Sequence, residues 1–321
     1  MTTKLFTAAA IGALVLAACQ HAPESQTAEA EIVEAAAQAS EAAAIATEQA
    51  AESVEASARA VAFLAKPVDA LKIYVFDCGK INVSNVGVFS ANGYFEGQER
   101  DFSDTCYLIR HPEGDLLWDL GLPGGLAGMG PQPSEGSVFT PSLERTLVDQ
   151  MAGIGVTPAD IDYVSISHYH FDHIGQPDAA GEATWLISER EYNAIYQSGN
   201  DELKAQFAGF EALTPKVFTG DFDVFGDNSV RILQTPGHTE GHTSLQVELP
   251  ETGTVLLTGD LYHQFESRTE KLVPGFNTSA DETLASMDKF EGIADVSEAK
   301  VIIQHEARDY ATLPKPPEAL K

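Results

Sequence analysis

Ser167-His168-Tyr169-His170-Phe171-Asp172-His173 sets three imidazoles and a carboxylate side by side, directly after a short apolar strand read over Asp162–Ser167. In extended backbone residues i and i+2 face the same way, so His168 and His170 can serve one metal ion. A turn into a helix at Asp172 then aims Asp172 and His173 at a second, adjacent site. Neutral imidazole and carboxylate suit zinc and similar divalent ions. A lone histidine is more often structural. Four ligand-type residues at this spacing behind a strand are not explained that way.

Working outward, three more candidates stand at the ends of elements. His238 lies in Thr235-Pro-Gly-His238-Thr, after a strand over Val230–Leu233. Asp260 closes Val255-Leu-Leu-Thr-Gly-Asp260, and His305 follows Val301-Ile-Ile-Gln304. Side chains at the carboxyl ends of several strands meet on one rim of a sheet, the usual place for an α/β site. Two ions ~3.5–4 Å apart need a bridging carboxylate, and Asp260 is the one suited to it. His242 is read as a supporting or structural residue, and His111 and His21 as surface residues.

The remaining pattern is hairpins first, then strands interleaved with helices. Strands are expected over Ala70–Phe76 and Cys106–Arg110. His111-Pro-Glu-Gly-Asp115 is a turn signal, with Leu116–Asp119 returning as the hairpin partner. A helix from Ser142 to Ala152 is expected, with Ser142 as its cap and Gly153 as its stop. Trp185–Ile187 is a further strand, and Ser188 caps the helix after it. Strands over Ser244–Leu249 and Val255–Thr258, a helix near 280–293 and a last strand Val301–Ile303 complete an α/β layered domain over residues 67–321.

Taken together, His168-x-His170-x-Asp172-His173, Gly237-His238, Gly259-Asp260 and the late His305 resemble the metallo-β-lactamase superfamily, in the family's order and across residues 70–310. The resemblance implies an αββα four-layer sandwich with two divalent metal ions, zinc foremost, on one rim. His168, His170 and His238 would hold the first ion, Asp172, His173 and His305 the second, and Asp260 would bridge. Asp119 matches a position that steadies the ligand loop.

Finer motifs resemble the N-acyl-homoserine lactonases: Phe76-Asp-Cys-Gly79, Cys106-Tyr-Leu-Ile-Arg-His-Pro112, Asp119-Leu-Gly-Leu-Pro123 and Thr235-Pro-Gly-His-Thr-Glu-Gly-His-Thr-Ser-Leu245. That implies a quorum-quenching hydrolase in which a metal-bridging hydroxide opens the lactone ring and Asp172 shuttles the proton. The family's best-known lactonases place a Tyr three residues after the bridging Asp. Here that place is His263, with Tyr262 one residue earlier, and strand alternation points the two in opposite directions. Both stand as catalytic candidates. Val88-Phe89, Tyr94-Phe95 and the Gly124–Met129 loop are candidate walls for an acyl chain, each equally open to ordinary loop packing. Cys78 and Cys106 are placed for a disulfide or for unpaired core thiols, and neither is read as catalytic.

The N-terminus has a different character. Lys4 precedes an apolar run from Leu5 to Ala18, shorter than the roughly 20 residues that span a bilayer as a helix. The run ends Leu16-Ala17-Ala18-Cys19, which resembles a bacterial lipobox; the other reading is an ordinary signal with a nearby Cys. Residues 1–19 are thus expected to be a lipoprotein-type signal, with Cys19 the site of lipid attachment. Gln20, in place of an Asp, points to the outer membrane. Residues 20–66 hold eight acids, two bases and no Gly, and lack a continuous apolar stripe; they read as a spacer, flexible or helical.

The formal net charge of −29 excludes nucleic acid as the main partner, because such binding needs a basic footprint. It suits a small neutral lactone. Other readings keep the fold and change the substrate to another lactone, an aryl ester, a thioester or an organophosphate. A reading of another class is a metal-binding surface lipoprotein without catalysis.

Overall fold

The alternation of each strand decides which layer its side chains enter. In the structure, a computed structural model that describes residues 70–321, strand β1 (Lys72–Val83) turns Ile73 and Val75 to one side and Phe76 and Cys78 to the other. β2 (Arg100–His111) pairs antiparallel with β1, and β3 (Gly114–Trp118) with β2. β4 (Phe139–Ser142) closes the far edge of β1. β5 (Tyr163–Ser165), β6 (Thr184–Ser188) and β7 (Thr214–Phe218) extend the sheet in parallel from β3, giving the order β4-β1-β2-β3-β5-β6-β7. The second sheet comprises β8 (Phe222–Asp223), β9 (Val230–Gln234), β10 (Thr243–Leu249), β11 (Gly253–Leu257) and β12 (Lys300–Ile302), in the order β12-β11-β10-β9-β8.

The two sheets pack face to face. Ile73, Val75, Tyr107, Ile109, Leu116 and Trp118 of the first interlock with Val230, Ile232, Leu245, Val247, Val255 and Leu257 of the second, all buried. Each such side chain contributes roughly 1.5–3 kcal/mol by leaving water. On the outer face of the first sheet, Cys106, Leu108 and Leu117 lie against α1 (Leu147–Ala152) and the segment around α2 (Glu189–Tyr196) and α3 (Asp201–Gln206), through Leu147, Met151, Ile195 and Phe207. On the outer face of the second, Leu233 and Leu256 meet Met287, Phe290 and Ala294 of the long helix Ala280–Ser297. That helix is α5; the short α4 (Phe265–Thr269) precedes it and α6 (Ala307–Thr312) follows β12. Helix, sheet, sheet and helix make the αββα sandwich.

Several local expectations change. β1 runs on past Phe76 because its pairing with β2 resumes beyond a register shift between Asp77 and Gly79, and Ile81 and Val83 join a separate apolar cluster with Phe89 and Phe102. The helix before Gly153 starts at Leu147, not Ser142: Thr146 caps it, accepting from Asp149 N at 3.1 Å, while Ser142 pairs with Lys80 at the sheet edge. His111 is not a surface residue. It is buried and stacks on Phe225 at 4.0 Å between centroids. Its Nδ1 accepts from Glu113 N, so Nε2 donates to Asp227 at 3.1 Å. Cys78 and Cys106 form a disulfide across β1 and β2. The expected signal, Cys19, the spacer and His21 lie outside the described residues. Among the described residues no helix is long and apolar enough to cross a membrane.

Candidate metal centre

Strands β3, β5, β9, β11 and β12 all point their carboxyl ends at one rim, and the segment after each carries a functional side chain. After β5 the backbone stays irregular through His168 and His170 and then makes a single turn, His173 N donating to His170 O at 3.0 Å. The expected helix at Asp172 is absent; one turn suffices to re-aim Asp172 and His173. After β3, Asp119 adopts φ 59°, and its Oδ1 accepts from Ser167 N at 2.6 Å.

Two groups of ligand-type atoms result, each within 4.8 Å. In the first, His168 Nε2, His170 Nδ1 and His238 Nε2 stand 2.8, 3.0 and 3.1 Å apart. Asp260 Oδ2 is 3.6 Å from His168 Nε2 and 3.4 Å from His238 Nε2. In the second, His173 and His305 offer Nε2 at 3.3 and 3.0 Å from Asp260 Oδ1, and the Asp172 oxygens lie 3.8 and 3.7 Å from those nitrogens. Asp260 therefore presents one oxygen to each group.

Their protonation fits cations. His305 Nδ1 donates to Ser103 O at 2.8 Å, which leaves the Nε2 lone pair facing a carboxylate. His238 Nδ1 bonds Asn277 Oδ1 at 2.9 Å, leaving its Nε2 bare among two other imidazole nitrogens. His173 Nε2 and Asp260 Oδ1 are buried with no hydrogen-bond partner. Lone pairs converging on lone pairs repel unless positive charge stands between them. Burial pulls the His168 and His238 imidazoles well below their ordinary range, which keeps them neutral and able to ligate. Burial also pushes His305 down, but the Asp260 and Asp172 carboxylates outweigh it and raise it to about 9. The surroundings of that nitrogen call for positive charge. The donor set thus fits divalent ions.

Residues beyond the ligand types hold this arrangement. His242, buried and pulled down to about 4 by burial, donates from Nδ1 to Thr235 O at 2.9 Å and accepts from Asp260 N at 2.9 Å. It orients Asp260 and offers no ligand atom to either group. Ser103 and Asn277 have no motif around them, and sequence reading missed both.

The adjacent pair after Asp260 splits. Tyr262 turns away from the rim into the cluster with Phe290, and its hydroxyl donates to Glu291 at 2.9 Å. Its candidacy as a catalytic residue fails on that orientation. His263 faces the ligands, with Nε2 3.1 Å from Asp260 Oδ2. Beside them opens a cavity of about 220 Å³, walled by Ile81, Val83, Phe89, Phe102, Phe139, Phe171 and Phe276 and also lined by His170, Asp172, Asp260, His263 and His305. Of the expected walls only Phe89 takes part. Phe95 is buried behind the wall, in the cluster that holds Ile81, Val83, Phe89 and Phe102, and Gly128 of the 124–129 loop borders a different hollow beside Lys80 and Glu144. Ile81 and Val83 were missed because the strand was expected to end at Phe76; their alternation with Lys80 and Asn82 was the available signal. Phe276 had no signal.

This constellation on one rim of a four-layer sandwich is matched by the metallo-beta-lactamase superfamily profile, which aligns with residues 100–305. The chain belongs to that superfamily. It is similar to the N-acyl homoserine lactonase AttM of Rhizobium johnstonii, 30% identical over 262 residues that cover 77% of this chain and 98% of the relative. It is also similar to the N-acyl homoserine lactonase AiiA of Bacillus thuringiensis subsp. kurstaki, 27% identical over 240 residues, covering 73% and 93%. Among solved structures, an N-acyl homoserine lactone hydrolase with N-hexanoyl-L-homoserine bound at its catalytic metal center superposes with a TM-score of 0.68 at 26% identity, covering 79% of this chain and all of that one.

Proposed function

We propose that the protein hydrolyses the lactone ring of N-acyl-homoserine lactones at a two-ion, zinc-type centre. The observation that carries this reading is the apolar, aromatic-walled cavity that has Asp172, Asp260, His263 and His305 in its lining. A substrate with a fatty chain and a small neutral polar head matches both halves of that lining. The named activities of the similar proteins support the same class.

His168, His170 and His238 would hold one ion, Asp172, His173 and His305 the other, with Asp260 shared. Such ions supply a water of lowered pKa and Lewis acidity toward a carbonyl oxygen. The protein's own groups do the rest. His263, facing the ligands, is the side chain placed to donate a hydrogen bond to the substrate carbonyl in the role that Tyr262 cannot take. Asp172 borders the cavity and is placed to take the proton that the attacking water gives up and pass it to the ring oxygen as it leaves. The Phe side chains of the wall exclude water and fix the chain. Cys19 is proposed as the lipid attachment of an exported, membrane-anchored form.

The test is turnover of the metal-loaded protein on acyl-homoserine lactones beside a β-lactam, a thioester, an aryl ester and an organophosphate. Lactones should be preferred; preference for any of the others overturns the assignment. Asp260→Ala should abolish turnover and lower bound metal from two equivalents. Full metal content without activity on any substrate would favour a non-catalytic lipoprotein.

A further inference from the structure

Glu191 sits in the first turn of α2 and is only 2% exposed. A carboxylate in such a place is costly unless its oxygens are satisfied. Here they are, by groups from two distant loops. Oε1 accepts from Tyr169 N at 2.8 Å and from Thr239 Oγ1 at 3.0 Å; Oε2 accepts from Thr239 Oγ1 at 2.9 Å and from Gly241 N at 2.9 Å. Tyr169 lies between His168 and His170, and Thr239 directly follows His238. One side chain therefore joins the two loops whose three imidazoles form the first ligand group, one loop leaving each sheet.

The contact is tight as well as bonded. Ser188 Oγ, at the cap of α2, donates to Gly241 O at 2.7 Å. A Cβ on Gly241 would come within 2.2 Å of Glu191 N, so only glycine lets the loop lie this close against the helix. Asp119 plays the comparable part for His173, through Ser167 N and His173 Nδ1, and bonds none of the three loop residues that Glu191 holds.

We infer that Glu191 is a positioning residue for the ion held by His168, His170 and His238, setting the distance between the two loops that supply them. The inference rests on the two-ion reading above. Glutamine is nearly the same size but has one accepting oxygen; its amide NH2 would face a donor of one loop or the other, so Glu191→Gln cuts the bridge while preserving volume.

The experiment strips the full chain with a chelator and titrates it with Co2+, following visible absorption and bound metal. Wild type should take two equivalents. In Glu191→Gln one ion should bind roughly 10–100-fold more weakly and the other as in wild type. Repeating the titration in a His305→Ala background, which leaves the three-imidazole group alone, assigns the weakened ion. A general loss of stability would not single out one ion. Thr239→Val, which removes only the shared hydroxyl, should weaken the same ion by less; it decides the matter if the glutamine variant does not fold. Wild-type affinity at the three-imidazole group in the folded variant overturns the inference. Fewer than two equivalents in wild type would instead overturn the two-ion reading.

Discussion

The Asp119 carboxylate stands 3.1 Å from Nδ1 of His173, with both side chains buried. Its other oxygen holds Ser167 N at 2.6 Å, so one residue orients both ends of the ligand loop. The bond to Nδ1 keeps the proton there and leaves Nε2 bare toward Asp260. Asp119→Asn tests this. Asn tolerates the left-handed backbone at φ 59° and can still accept from Ser167, but its NH2 would face Nδ1 and favour a proton on Nε2. Metal content should fall toward one equivalent, with affinity for the lost ion down roughly 10–100-fold. Retention of both ions at wild-type affinity would contradict it.

His263→Phe separates donor from packing. The His263 ring lies 4.5 Å from Phe89 and stacks at 5.9 Å on His305, contacts a phenyl ring can keep. Loss of a donor aimed at developing charge should cost roughly 10²–10³ in kcat with little change in KM. Steady-state kinetics on an acyl-homoserine lactone measures it. A rise in KM alone would assign His263 to substrate binding instead.

The Cys78–Cys106 bridge closes a sequence separation of 28 within the sheet beside the site. Loop-closure entropy for that length is worth roughly 3–4 kcal/mol. The double variant Cys78→Ala, Cys106→Ala should lose about that much unfolding free energy in denaturant titration, and thiol reductant should destabilise wild type but not the variant.

Glu291 links Tyr262 and Arg268, which donate to it at 2.9 Å and, bidentately, at 2.9 and 2.7 Å. Burial raises its carboxyl, but these donors outweigh it and hold it below its ordinary value of 4.5. A lowered folded-state pKa gives stability that is fully present above the unfolded value and lost as pH falls through the folded one. Metal-free wild type should therefore lose, below about pH 4.5, a stability increment that Glu291→Gln lacks at every pH. Parallel stability–pH curves for the two would refute this.

Much of the site could be read from the chain because its signals are local. A short unbroken apolar run such as Val255–Leu257 or Val301–Ile303 names a buried strand, and a polar residue just past its end stands on the rim. The same holds for Ser188, whose cap on α2 needs only its own neighbours. Locality failed at the first helix: Ser142 was expected to cap it, but Ser142 pairs with Lys80, far away in sequence, and Thr146 caps instead.

The kinds of ligand and their order were thus carried by short local motifs, which resemble the superfamily's, and the strand ends that bear them by short apolar runs. What periodicity could not encode is which distant groups meet. The Ser103 carbonyl that sets the His305 tautomer is 202 residues away from it, and Glu191 reaches Gly241 across 50. Tyr262 and His263 are neighbours of similar promise, and only the packing of α5 against β9 and β11 draws Tyr262 inward to Glu291 and leaves His263 at the cavity. Orientation, tautomer and cavity shape arise from contacts between segments far apart in the chain, where spacing along it carries no geometric information.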